Sequence, residues 1–452
     1  MDALILRNVR CFREPAPIPL APLTVLVGEN STGKTTLLAA IRLAWRLARS
    51  VQTPDFNEEP FPLGAYEQIA NFRGGRGGRA DAFEVGFEAE LGEMPASERR
   101  SKQQQLPFAE SEQLPENQLQ LVGRFENRAS QPALVKWKVA SGRFAFEIQP
   151  PAPDNPPVLN LTYPDGKAET RVGMPFPMDV EDLRMFLGAI ARFPKEIDAK
   201  RLMQVEGESP DDVVFGFVES LTQRVVAENP KALYASAPIR TQPKRTYEPL
   251  KDAFEPQGGH VPMILAKSYQ EDRWKPIVDA LDRFGKASGL FEHLTIKRLG
   301  KQESSPFQLM VKLTGPAFNM VDVGYGVSQI LPIIVDTVRG DPGTMFLLQQ
   351  PEVHLHPRAQ AELGTLLAQL VKKDKKRFVV ETHSDHLVDR IRMDVRDGKG
   401  LKPSDVSILW FERTNGGVEV HPLKLDEQGN IVNVPPGYRE FFLNEERRFL
   451  GG

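Results

Sequence analysis

The sequence predicts an α/β fold built around a glycine-rich loop, with an antiparallel β lobe and a largely helical insertion between its two halves. Three observations lead to this prediction. An apolar strand over 23–27 is followed by a glycine-rich loop and by apolar residues at helical spacing over 37–44. Residues 81–90, 119–124 and 133–139 contain alternating apolar and polar positions, as half-exposed strands do. Residues 345–411 alternate apolar strands with helices, which is typical of parallel strands joined by crossover connections.

These patterns divide the chain into four predicted segments. Residues 1–80 are expected to form the first part of an α/β head, and residues 81–150 the antiparallel lobe. Residues 151–304 are expected to be a mainly helical insertion, and residues 305–452 the second part of the head. We expect the first 50 residues to join the last third of the chain in one mixed or parallel sheet with flanking helices.

Composition excludes several classes of protein. The chain has 452 residues, with 57 Lys plus Arg against 60 Asp plus Glu, so it lacks the basic excess of a dedicated nucleic-acid coat. A single cysteine, Cys11, excludes a disulfide framework and a multi-cysteine metal site. No apolar run reaches the roughly 18 residues of a membrane span, and the N-terminus lacks a signal-peptide pattern. We therefore expect a cytoplasmic protein that does not insert into membranes.

A phosphate-binding loop is the strongest motif in the chain. Residues 28–35 read Gly-Glu-Asn-Ser-Thr-Gly-Lys-Thr and match G-x-x-x-x-G-K-[ST] in full, between a predicted strand and a predicted helix. Glycines let such a loop point its backbone N–H groups at phosphate oxygens, where the helix N-terminus adds partial positive charge. Lys34 would bridge the β- and γ-phosphates of ATP, and the Thr35 hydroxyl would bind Mg²⁺. The nucleotide-binding residues predicted in this loop are Asn30, Ser31, Thr32, Gly33, Lys34, Thr35 and Thr36.

Polar side chains follow two apolar strands in the last third of the chain. The strand over 344–348 is followed by Gln349, Gln350 and, after one proline, Glu352. The segment 378–386 repeats this design on a neighbouring strand. Mg²⁺ and the attacking water are held at such strand ends beside a phosphate loop.

A second glycine-rich helix start lies upstream of those strands. Gly324, Gly326 and Ser328 open an apolar helix over 330–338. The N-terminus of a helix is a ready anion-binding site. The sequence therefore predicts two phosphate-binding elements that close on one nucleotide.

Together these motifs resemble the ATP-binding-cassette (ABC)-type heads of the SMC, RecF and overcoming-lysogenization-defect group, specifically the stand-alone AAA15/AAA21 ATPases of bacteria. Residues 28–35 resemble Walker A, 323–329 the signature motif, 346–352 Walker B, and 382–384 the switch histidine His383. A segment containing Arg240 is similar to a proline-arginine motif of these heads. The resemblance implies that the signature of one subunit completes the site of another, so that ATP holds a homodimer or higher homo-oligomer together.

The Walker B segment departs from this family. Two acids usually end it, whereas this chain has Gln349 and Gln350, and an amide accepts no proton at neutral pH. Glu352 is the nearest carboxylate and would substitute if the turn at Pro351 aims it inward. We therefore predict Glu352, Gln350 and His383 as catalytic residues of a slow or conditional ATPase. Thr35, Gln349 and Gln68, the last in a segment similar to a glutamine loop, are predicted at the Mg²⁺.

The chain resembles the ATPase subunits of PARIS-type and Septu-type anti-phage systems, which work with a separate TOPRIM-type or HNH nuclease. This resemblance implies a sensor or scaffold that controls an effector encoded separately. Two alternatives stay open. The first is a RecF-like ATPase of DNA repair or recombination, with DNA as a possible partner. The second is a zinc-dependent hydrolase, because four of the seven histidines (His354, His356, His383 and His386) fall in one short stretch.

Overall fold

The computed structural model describes most of the chain. The described residues are 1–14, 16–74, 78–91, 117–142, 144–152, 155–162, 166–172, 221–249, 253–268, 274–414, 417–432, 434–438 and 447–448. Most of the helical content predicted over 179–230 lies outside them; within them, residues 221–227 are helical.

The secondary-structure elements are numbered here in chain order. The strands are β1 (Ala3–Arg7), β2 (Ile18–Pro19), β3 (Leu23–Gly28), β4 (Ala82–Glu90), β5 (Gln118–Arg128), β6 (Gln131–Ser141), β7 (Phe144–Gln149), β8 (Val158–Thr162), β9 (Ala168–Val172), β10 (Leu233–Ser236), β11 (His293–Arg298), β12 (Phe307–Lys312), β13 (Ala317–Asn319), β14 (Met345–Gln349), β15 (Arg377–Glu381), β16 (Val406–Thr414), β17 (Gly417–Leu425) and β18 (Ile431–Val432). The α-helices are α1 (Lys34–Leu47), α2 (Tyr66–Ile69), α3 (Val261–Ser268), α4 (Trp274–Ser288), α5 (Tyr325–Arg339), α6 (Pro357–Asp374) and α7 (Asp385–Arg396). Single 3₁₀ turns cover Met320–Asp322 and Pro403–Asp405.

The chain forms two compact units. The first comprises Met1–Leu20 and Thr36–Pro230, and the second comprises Ala21–Thr35 and Lys231–Gly452. The four-segment division of the sequence stays a prediction.

An eight-stranded antiparallel sheet is the centre of the first unit, in the order β2-β1-β4-β5-β6-β7-β8-β9. Along β5, buried and half-buried positions alternate, as expected for a strand with one face on a core. On that core side, the Trp137 indole N–H donates to the Leu47 carbonyl of α1 (2.9 Å). Gly123 lies so close to Leu47 that an added Cβ would sit 2.9 Å from a leucine methyl carbon. The α1 helix therefore packs directly on this sheet.

The predicted role of the first strand was wrong in one respect. We expected β1 to join the sheet of the last third of the chain, but it pairs antiparallel with β4 and β2. Only about 15 residues separate β1 from β3, and they contain the short strand β2. Strand β2 turns back onto β1 in antiparallel pairing, and the described residues of the connection contain no helix of the kind that usually carries a parallel crossover.

A seven-stranded sheet is the centre of the second unit, in the order β10-β14-β15-β3-β16-β17-β18. The pairs from β10 to β16 are parallel, and β17 and β18 are added antiparallel. Strand β14 is buried along nearly its whole length, as strands covered on both faces are. The α/β prediction with a mixed sheet, flanking helices and an antiparallel lobe is thus confirmed.

Stacked aromatic rings form part of the core of this unit. Phe346 on β14 lies between Tyr234 on β10 and Phe378 on β15, with ring centroids 5.6 and 5.4 Å apart. Helices α6 and α7 connect β14 to β15 and β15 to β16, as crossover connections between parallel strands do. The carboxyl ends of β3, β14 and β15 consequently lie side by side, and the loops that follow them share one edge of the sheet. None of the helices in the described part of the chain is long and apolar enough to cross a membrane.

Candidate nucleotide-binding site

The phosphate loop folds back sharply at its first glycine. Gly28 has a φ of 135°, and an added Cβ would lie 2.5 Å from the carbonyl oxygen of Phe411 on the neighbouring strand β16. Ser31 and Gly33 also have positive φ values, 61° and 91°. The Thr32 hydroxyl donates to the Glu29 carbonyl (2.7 Å) and closes the turn. The glycines are therefore required by the backbone conformation, and Ser31 holds a left-handed conformation that costs a non-glycine residue energy.

The Lys34 side chain folds back across the phosphate loop. It is 3% exposed, and Nζ donates to the carbonyl oxygens of Gly28 (2.9 Å) and Glu29 (2.6 Å). Burial lowers the pKa of Lys34, while the charges of Glu381 and Glu29 act in the opposite direction. The ammonium is thus held at the loop centre with one proton left for a ligand, where helix α1 also begins and contributes its partial positive charge.

Arg413 is a neighbour of the loop that the sequence did not reveal. Its Nη2 donates to the carbonyls of Asn30 (3.4 Å) and Ser31 (3.3 Å) from strand β16. An exposed guanidinium therefore supports the outer side of the loop. Nothing in the sequence spacing connects position 413 with position 30, because strand pairing alone brings them together.

A cluster of oxygen-bearing side chains lies at the start of α1. The Thr35 hydroxyl donates to Glu381 Oε2 (2.9 Å), and Gln349 Nε2 donates to the same hydroxyl (2.9 Å). Glu381 is 5% exposed; burial raises its pKa, and its contacts with Thr35 and Lys34 lower it. Mg²⁺ prefers oxygen ligands such as hydroxyl, amide and carboxylate groups, and it is usually held by one or two carboxylates together with substrate phosphates. Thr35, Gln349 and Glu381 therefore fit Mg²⁺, which would neutralise charge on the phosphates of ATP.

Glu352 points into the protein, which was the condition for its predicted role as the substitute carboxylate. It is 5% exposed, and its Oε1 accepts the backbone N–H of His383 (2.9 Å). Its Oε2 accepts no well-formed hydrogen bond within the described part of the chain. Burial raises the pKa of Glu352, and the bond from His383 lowers it. A carboxylate with a raised pKa and a free oxygen is suited to accept a proton from water.

A buried arginine faces that carboxylate. Arg240 is 2% exposed, and its Nη2 approaches the Gln350 carbonyl at 3.5 Å. Its Nε and Nη1 have no hydrogen-bond partner among the described residues. Burial lowers the pKa of Arg240 to about 10, while Glu352 raises it. The charge of Arg240 is therefore directed at Glu352 and the turn after β14.

The two remaining predicted catalytic residues, His383 and Gln350, lie on either side of the contact between the ends of β14 and β15. His383 keeps part of its surface in solvent, and desolvation of the rest together with the charge of Lys34 lowers the pKa of its imidazole, which favours the neutral form. Gln350 has a φ of 42°, and its backbone N–H donates to the Glu381 carbonyl (2.8 Å). The turn after β14 is therefore bonded to the end of β15, and Glu352 follows directly from it.

The signature segment opens α5 as predicted, but its serine is turned inward. Ser328 is 8% exposed, and its hydroxyl donates to the Tyr325 carbonyl (2.8 Å). Gly324 and Tyr325 are exposed at the helix tip. Gly326 has no room for a side chain, because a Cβ would lie 2.8 Å from the His354 carbonyl oxygen. The phosphate contacts predicted for Gly324, Gly326 and Ser328 stay predictions.

Gln68 and Thr36 lie in the first unit. The Gln68 side-chain oxygen accepts the backbone N–H of Ala65 (2.9 Å) at the start of α2. The Thr36 hydroxyl accepts a hydrogen bond from Arg10 (3.1 Å). Both side chains thus have local structural partners, and their predicted roles at Mg²⁺ and nucleotide stay predictions.

Two of the histidines behind the zinc-hydrolase alternative have other contacts. The His354 ring packs edge-on against Tyr325, and His356 Nδ1 accepts the backbone N–H of Arg358 at the start of α6. Within the described residues, the one group of three side chains close enough to share a metal ion is Glu412, Glu419 and His421. His-x-His on a segment of regular extended backbone would place both rings on one face. At His354 the φ of 68° breaks that regularity, so the histidines do not form the ligand set on which the zinc-hydrolase alternative was based.

Two regions of the chain match family models. Residues 226–389 match a family described as "AAA domain, putative AbiEii toxin, Type IV TA system", and residues 3–120 match one described as "AAA domain". Among curated proteins the comparison finds no match. Both matched regions contain parts of the site described above, namely the phosphate loop in one and the ends of β14 and β15 in the other.

Solved SMC heads are similar in structure over most of the chain. One is the SMC head bound to the C-winged helix domain of ScpA, with 14% identity, a TM-score of 0.44, and coverage of 94% of this chain and 98% of that one. Another is an SMC head with an extended coiled coil bound to the C-terminal domain of ScpA, from Pyrococcus furiosus (11%, 0.41, 99% and 99%). A third is the SMC head of Thermotoga maritima (12%, 0.37, 94% and 99%). The strand order and the loop geometry described above define the α/β fold, and the two family matches support an ATPase.

Proposed function

We propose that this protein binds Mg²⁺–ATP at residues 28–35, hydrolyses it slowly or conditionally, and acts as the sensor or scaffold subunit of a bacterial anti-phage complex that controls a separate nuclease. One observation carries the nucleotide part of this proposal. A complete phosphate loop with a buried lysine shares a sheet edge with an inward-aimed buried carboxylate, Glu352. That arrangement offers phosphate binding and proton acceptance in one place.

The residues divide the chemistry among them. Lys34 and the loop amides would hold the β- and γ-phosphates, and Mg²⁺ would neutralise the charge that develops on them. Glu352 would accept the proton of the attacking water, which the Gln350 amide would orient. The ring N–H of the neutral His383 imidazole would donate a hydrogen bond to the γ-phosphate. With one buried base and no acid at position 350, we expect turnover to be slow unless a partner completes the site.

Two observations support the proposed assembly and the proposed defence role. The exposed tip of α5 at Gly324 and Tyr325 would complete the nucleotide site of a second copy, so that ATP joins a homodimer or higher homo-oligomer. The description of the family matched by residues 226–389 names a putative AbiEii toxin, and this supports a defence role. A TOPRIM-type or HNH nuclease would be the effector.

Lys34→Ala tests the nucleotide site. A hydrogen bond from a charged group contributes about 1.5–3 kcal/mol, so losing the one phosphate contact left to the Lys34 ammonium should weaken ATP binding by about 10–100-fold. Calorimetry with ATP measures this, and Lys301→Ala, an exposed lysine of the same unit, is the matched control. Equal ATP affinity in both variants would refute the site.

Co-purification tests the biological role. If ATP, but not ADP, retains a nuclease encoded beside this gene on the purified protein, the scaffold role is supported. If instead duplex DNA alone raises ATP turnover and no partner is retained, the RecF-like alternative replaces it.

A further inference from the structure

The acid expected at the Walker B position is present in the fold, but on the adjacent strand. Strand β14 ends in Gln349, which carries no charge. In the parallel register, Gln349 pairs directly with Glu381, the last residue of β15. Thr35 lies between the two side chains and bonds to both, each at 2.9 Å. Exchanging an amide and a carboxylate between these two positions would change the charge at Thr35 very little.

The surroundings of Glu381 leave its charge poorly compensated. A carboxylate removed from water is costly unless a cation or several donors face it. The Thr35 hydroxyl and the Gln349 amide are the donors beside it, and the charge of Lys34 lowers its pKa. The Lys34 ammonium, however, directs its own hydrogen bonds to the carbonyls of Gly28 and Glu29. Glu352, a second acid, adds repulsion. This corner of the site is therefore an electrostatically negative position next to the hydroxyl that binds the metal in phosphate-loop proteins.

We propose that Glu381 supplies the acidic oxygen at the Mg²⁺ that accompanies ATP, in place of an acid at position 349. Gln349 contributes only an amide oxygen, after rotation of its side-chain amide, and Glu352 remains available for the proton of water. This inference rests on the proposed nucleotide-binding function. It assigns the two buried acids of the site to separate tasks.

Four chains test the proposal: the natural one, Glu381→Gln, Gln349→Asp, and the exchange variant that carries both changes. ATP affinity is measured by calorimetry in EDTA and in Mg²⁺, and Mn²⁺ binding in the presence of ATP by electron paramagnetic resonance. Glu381→Gln should keep the affinity measured in EDTA and lose about 10–100-fold of metal affinity. The exchange variant should regain most of that loss. Glu427→Gln, an exposed acid in the same unit, is the matched control and should change neither value.

The outcomes separate this inference from the function beneath it. If the natural chain binds no ATP, the proposed function fails. If it binds ATP with a metal effect that Glu381→Gln retains in full, or that the exchange variant does not recover, only the role of Glu381 fails. If Glu381→Gln does not fold, the Mn²⁺ affinity of Gln349→Asp tests the proposal by itself. A second carboxylate beside Glu381 must then raise Mn²⁺ affinity, and unchanged affinity overturns the proposal.

Discussion

Gly28→Ala should damage both the stability of the second unit and its nucleotide affinity. An alanine at a φ of 135° is strained by about 1–3 kcal/mol. Its Cβ would also lie 2.5 Å from the backbone oxygen of Phe411, which is fixed by pairing of β3 with β16. Forcing atoms into a packed site costs typically another 1–3 kcal/mol, so the total is about 2–6 kcal/mol.

Denaturant unfolding measures the stability loss, and calorimetry with ATP measures the effect on the loop. Gly343→Ala is the matched control, because Gly343 also has a positive φ (80°) but has nothing within 4 Å of an added Cβ. The control should lose only the backbone contribution, about 1–2 kcal/mol, and keep ATP affinity. Equal losses in the two variants would refute the argument that close approach to Phe411 requires glycine.

Two further predictions concern the Walker B turn. Burial raises the pKa of Glu352 above its usual 4.5, so the folded chain binds more protons than the unfolded chain at and above that pH. Stability should then fall as pH rises from about 4.5 through the raised pKa, and Glu352→Gln should flatten that fall in unfolding experiments; an unchanged pH profile would contradict the cause given for the shift. Arg240 and the His383 amide face this carboxyl and oppose the effect. Gln350→Glu should raise phosphate release if the amide limits proton transfer, whereas equal rates would show that Glu352 already serves as the base.

Local sequence signals predicted the parts of the fold that depend on neighbouring residues. The loop at 28–35, the buried strand β14 and the alternating strand β5 each have a periodicity or motif of their own. Pairing between distant strands has no such signal. The antiparallel pairing of β1 with β4 depends on residues about 80 positions away, and the sequence therefore assigned β1 to the wrong sheet.

The same limit applies to the site. Lys34, Thr35 and Glu352 were predicted because they lie within recognisable motifs. Glu381 was part of a motif too, but its contact with Thr35 follows from the register between β14 and β15. A glutamate at the end of an apolar strand, beside a strand that ends in one glutamine and is followed by another, is the signal that would have identified it. Arg240 gains its role only through burial against a turn more than 100 residues later.

The close approach of Gly326 to the His354 carbonyl links two functions within one chain. The tip of α5 is the surface expected to meet the nucleotide of another subunit, and His354 lies in the turn that also positions Glu352. The Tyr325 and His354 rings pack against each other at the same point, 5.0 Å apart. In the proposed assembly, ATP bound to one subunit would contact the α5 tip of its neighbour. Through the contacts of Gly326 and Tyr325 with His354, it would thus affect the position of the neighbour's Glu352. Cooperativity between subunits would then need no allosteric pathway beyond these contacts.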